Sequence, residues 1–152
     1  LDSLSPEAVD YLVKQLTESP IVSWLPSTEV VVRLAQVSED PEVYQILWKM
    51  KADYHSQAEL VRLAESKEPF ALEQVMAATK NPRLKEEAIT LLTRVNPLSD
   101  DVKAFLVSRM AIADDASLVA RELAKQGHTG WLQDLVNDNP QVKSSVIQKV
   151  LP

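Results

Sequence analysis

At Ser5-Pro6, Asp40-Pro41, Asn81-Pro82 and Asn139-Pro140 a small polar residue stands directly before proline in a position to start a helix, and Glu68-Pro69 is a weaker version. Proline fits the first position of a helix, where its missing N–H would have no partner. The side-chain oxygen before it can cap the N–H groups that follow. Proline also drives the residue before it out of the helical region, so each pair closes one helix and opens another. Asn96-Pro97 ends a helix by this rule, and Ser99 starts the next. The chain has 9 prolines and 2 glycines. A sheet protein normally needs glycine for its hairpin turns. Together these features predict an all-α chain with stiff joints.

Other starts carry no proline. Ser27 or Thr28 caps "EVVVRLAQV", and Ser56 with Glu59 fits a capping box before "LVRLA". Asp114 or Asp115 caps "SLVARELAKQ", which Gly127 ends in the left-handed conformation, and Thr129 caps "GWLQDLV". Between these marks the apolar spacing is helical. Val43, Ile46, Leu47 and Met50 form one stripe. Leu84, Ala88, Ile89, Leu92 and Val95 form another, and Val102, Phe105, Leu106 and Met110 a third. Val142, Val146, Ile147 and Val150 repeat the pattern. About ten helices of roughly three turns result, an ordinary length for globular proteins.

Every second helix start falls near Pro41, Pro69, Asp100 and Gly130, at steps of 28, 31 and 30 residues. A period of about 30 built from two short helices predicts stacked helical hairpins, each too small to bury its stripe alone. With 152 residues this suits one domain, with residues 1–27 as an atypical cap and 28–151 as the repeats. "DPEV", "NPRLKEEA", "DDVKAFL" and "NPQVKSSV" resemble the second-helix pattern of HEAT-like repeats. Val43, Leu84, Val102 and Val142 match the aliphatic place, and Lys85, Lys103 and Lys143 the basic one, from which Tyr44 departs. The short period is also similar to bacterial leucine-rich-repeat variants. The resemblance implies a short right-handed α-solenoid of about five stacked hairpins that binds another macromolecule.

Composition narrows the chemistry. There are no cysteines, which excludes disulfides, a thiolate metal site and a thiol nucleophile. His55 and His128 are isolated residues at joints, without the converging partners that a metal site or triad needs. Asp100-Asp101, Asp114-Asp115 and Glu86-Glu87 sit near helix starts, where negative charge suits the helix dipole. Gly127 and Gly130 lack the lysine and spacing of a phosphate loop. These readings predict no cofactor, no metal and no enzymatic activity. The net charge of −6 divides into −7 for residues 1–76 and +1 for 77–152, which disfavours general nucleic-acid binding. No apolar run approaches the ~20 residues of a membrane span, and no signal-peptide pattern is visible. A start at Leu1 suits a processed product or an excised domain; the compartment stays open, with the cytoplasm favoured.

The aromatic residues are the candidate contact sites. Tyr44 and Trp48 are four apart and share a helix face, either as packing between repeats or as an exposed anchor for a partner. Apolar stripes at this spacing favour packing. Trp131 with Leu135 poses the same choice. "SPIVSWLPS", residues 19–27, is too apolar to hang in water. It is either a lid on the first repeat or a docking patch for a partner or a second copy, with Trp24 at its centre. The leading expectation is a non-enzymatic module that binds another protein through Tyr44, Trp48 and Lys51, with Trp24 as a further contact. Two rivals remain. One is a nucleic-acid-processing domain, which needs Arg83, Arg94, Arg109, Arg121 and Lys125 on one face. The other is a self-associating structural domain using the 19–27 patch.

Overall fold

Two of the four polar–proline joints, Ser5-Pro6 and Asp40-Pro41, open helices that the residue before proline caps. Asp40 Oδ1 accepts a 2.8 Å hydrogen bond from the Glu42 N–H, and Pro41 opens the helix behind it. Ser27 and Ser99 cap the starts at Thr28 and Asp100 through Val30 and Val102 N–H groups. The computed structural model describes residues 5–18 and 27–151. Among them the chain is all-α, with ten helices and no strand. In order these are α1 (Pro6–Glu18), α2 (Thr28–Ser38), α3 (Pro41–Lys49), α4 (Tyr54–Ser66), α5 (Pro69–Ala78), α6 (Lys85–Thr93), α7 (Asp100–Met110), α8 (Ala113–Lys125), α9 (Thr129–Asp138) and α10 (Ser144–Gln148).

Five helix starts differ from the sequence expectation, one of them α9, whose N-cap is His128, without a side-chain bond, in place of the expected Thr129. The capping box of α4 sits one turn early: Asp53 is the N-cap, and Ser56 takes the reciprocal place expected of Glu59. Glu59 is instead buried in the core. Asn81-Pro82 opens a hydrogen-bonded turn, and α6 begins only at Lys85. Asn139-Pro140 likewise opens a turn; the Lys143 N–H just before α10 bonds to the Met110 carbonyl, 2.9 Å away. Helix α8 starts at Ala113 without a side-chain cap, because Asp115 is drawn inward. Its carboxylate lies 2.7 Å from Lys85 Nζ and 3.5 Å from Arg109 Nη1.

Helix ends follow the expected chemistry more closely. Gly127 has φ +86°, its N–H bonds to the Ala124 carbonyl, and the His128 N–H bonds to that of Leu123. That pair of bonds is the Schellman arrangement, which satisfies carbonyls a helix end would leave free. Glu39 and Lys67 take the left-handed conformation at the ends of α2 and α4.

Packing is between near neighbours. Helices α2, α4, α6, α8 and α10 lie side by side in one row, and α1, α3 and α5 pack in a second. Consecutive helices join the rows, among them α2 with α3, α4 with α5 and α5 with α6, and α7 packs on α8. One apolar core runs through both rows from Val9 to Ile147. Helix α1 packs on α2 and α3 and brings Val9, Val13 and Leu16 to that core.

Candidate functional site

A groove of about 560 Å³ opens where the joint after α3 meets the joint after α5. One wall is Gln45 and Lys49 of α3 with Met50, Lys51 and Ala52 beyond it. The other is Ala77 of α5 with Lys80, Asn81, Pro82 and Arg83. Trp48, 4% exposed, forms the floor. The lining holds four cations and no carboxylate. None of Lys49, Lys51, Lys80 and Arg83 makes an ion pair among the described residues.

Asn81 holds the two walls together. Its Nδ2 donates to the carbonyl of Trp48 at 2.9 Å and to that of Met50 at 3.3 Å, while its Oδ1 accepts from the Arg83 N–H at 2.9 Å. The Met50 N–H reaches the Ile46 and Leu47 carbonyls, so between them Asn81 and Met50 satisfy three of the four free carbonyls at the end of α3. Lys51 and Arg83 are thus carried on joints whose backbones are tied to each other across more than thirty residues of sequence.

Beneath the floor, Tyr44 stacks on Trp48 with ring centroids 5.9 Å apart, and Phe70 meets Tyr44 edge-on at 5.9 Å. The Tyr44 hydroxyl donates to Glu59 Oε2 at 2.7 Å. Glu59 also accepts from Gln36 Nε2 at 2.8 Å, from Arg62 Nε at 2.6 Å and from Arg62 Nη2 at 2.8 Å. Burial pushes the Tyr44 phenol far above its ordinary value, and the Glu59 carboxylate pushes it further. Hydrogen bonding to Glu59 likewise holds Arg62 above its usual range. The cluster fixes α3 to α4 and leaves Tyr44 no open face.

The exposed-anchor reading of Tyr44 and Trp48 is therefore corrected. Tyr44 is 1% exposed, and neither ring stands out as a free knob. Both pack, because α3 lies between α2 and α5 and its aromatic face turns onto α5. Trp48 keeps one link to the groove, and its buried Nε1–H has no hydrogen-bond partner. An orphaned buried donor costs about 1–3 kcal/mol. Lys51 stands in the same groove. Trp24 and residues 19–26 of the apolar patch lie outside the described residues. Trp131 is half-buried, with Lys103 Nζ 5.6 Å from its ring centroid, and Leu135 is in the core.

Of the five cations that a nucleic-acid face would need, Arg109 is held by Asp115 and Lys125 by Glu122, and Arg83 stands in the groove. Lys49, Lys80 and Asn81 are the site residues that sequence reasoning missed. The signal was present in "KNPR", which flanks a proline joint with two cations, but nothing in it marks the partner joint at residues 50–52. His55 lies in the first turn of α4 beside Tyr54, their rings 5.5 Å apart. Among the described residues no three His, Asp or Glu side chains converge in a metal-binding group, and no helix is long and apolar enough to cross a membrane. Comparison with protein-family models, with curated proteins and with solved structures returned no match.

Proposed function

We propose that this chain is a short α-solenoid of about five stacked hairpins that works as a non-enzymatic protein-interaction module, and that it receives a segment of its partner in the Trp48 groove. Packing mainly between helices one or two apart supports the solenoid reading. The groove carries the functional reading: four cations on two tethered walls, none of them engaged within the described chain, over a buried aromatic floor. Clustered like charges repel one another, so a fold gains nothing from holding them together unless something else arrives. Aromatic and arginine residues are also the side chains that most often anchor protein interfaces.

Selection of a random peptide library on the immobilised protein tests this. The expected outcome is a set of enriched peptides that shift the backbone amide NMR signals of residues 48–52, 80, 81 and 83. Failure to enrich any peptide, or shifts confined to another face, would overturn it.

A further inference from the structure

We propose that the segment held in the groove is acidic and extended, with carboxylates between Lys49 and Lys51 on one wall and Lys80 and Arg83 on the other. This rests on the docking role given to the groove above. The chain carries −6 overall, yet no carboxylate lines this groove. Its local charge is thus opposite to that of the whole, and electrostatic complementarity selects a partner of negative sign. Arg83 offers a planar fork that matches a carboxylate, and the three lysines act as mobile point charges around it.

The floor suits a peptide. Trp48, Met50, Ala52 and Ala77 give apolar surface for the stems of the side chains and for neighbouring residues. The Asn81 tether fixes the separation of the walls before anything binds, so little ordering is needed on docking. A nucleic-acid duplex fits poorly. Its phosphates run well past four cations and meet the surface of a half-chain that carries −7.

The peptide selection is run on the wild type and on the exposed charge-reversal variant K51E/R83E, with circular dichroism as the check on folding. An acidic protein attracts basic peptides non-specifically, so enrichment of Asp and Glu is diagnostic. The expected result is Asp- and Glu-rich peptides on the wild type, lost on K51E/R83E, with affinity that falls as salt is raised. Groove-binding peptides without acidic bias, or acidic ones that K51E/R83E retains, overturn the acidic occupant and leave the docking role standing. No enriched peptide at all overturns both. A single-stranded oligonucleotide that displaces the peptides and shifts the same amide signals overturns the proposal in favour of a nucleic-acid groove.

Discussion

The Tyr44 hydroxyl donates to Glu59 Oε2 across 2.7 Å, and Glu59 is 2% exposed. A carboxylate this deep is tolerable because Gln36 and Arg62 satisfy it as well. Tyr44→Phe removes one of those donors and keeps the ring that stacks on Trp48. The loss expected in urea denaturation at neutral pH is about 1–3 kcal/mol. The phenol's folded pKa is raised, so the folded state holds its proton more tightly than the unfolded chain does. Its contribution is fully present below the unfolded value of about 10 and is lost as pH rises beyond it. The stability gap between wild type and Tyr44→Phe should therefore narrow in alkaline solution. A gap independent of pH would remove the phenol from the account.

Asp53 gives the opposite sign. Burial works to raise its pKa, but hydrogen bonds from the Thr28 hydroxyl and from the Ser56 and His55 N–H groups outweigh it and leave the value low. Its charged form is the one that the fold favours. The contribution is present above the unfolded carboxylate value of about 3.9 and disappears as pH falls through the lower folded value. Asn is nearly as good an N-cap as Asp but does not titrate. Wild type should exceed Asp53→Asn in stability at neutral pH, and the two should converge on acidification. Parallel curves down to the acid transition would contradict the assignment.

Asn81 links stability to the groove. Asn81→Ala frees the carbonyls of Trp48 and Met50 and the turn at Arg83. The expected cost is about 1–3 kcal/mol. Asn81→Asp keeps an acceptor for the Arg83 N–H but sets a carboxylate against two carbonyls, so it should cost at least as much. Peptides selected on the wild type should bind either variant more weakly under conditions where it remains folded, because Lys80 and Arg83 no longer keep their distance from Lys51. Unchanged binding would mean that the tether serves stability alone.

The all-α class and most helix ends were legible because they depend on local chemistry. Ser27, Asp40, Ser99 and Gly127 do what their own neighbours require. The misread residues are those whose side chains are used at long range. Asn81 looked like a cap for α6, but its amide spans to Trp48 and Met50. Asp115 looked like a cap for α8, but it is buried between Lys85 and Arg109. Glu59 looked like part of a capping box and became the acceptor for Tyr44. Local patterns list the bonds a polar residue can make within one turn, and a tertiary partner with better geometry replaces them. The groove shows the same limit: Trp48 at the end of α3 and Lys51 just beyond it are near in sequence, whereas the other wall arrives from residues 77–83.

The two glycines predict mutations of opposite sign. Gly127 has φ +86°, a conformation that a Cβ disfavours, although nothing lies within 4 Å of where that atom would sit. Gly127→Ala therefore costs only backbone strain, about 1 kcal/mol, with no clash to add. Gly130 lies in the first turn of α9 and has equally open surroundings, without a positive φ. Replacing it by alanine restricts the unfolded chain more than the folded one and should stabilise by about 0.4–1 kcal/mol. Thermal denaturation of both variants decides the matter. Similar losses in the two would show that α9 does not start where the cap at Gly127 places it, since Gly130 would then also sit in a turn that needs glycine.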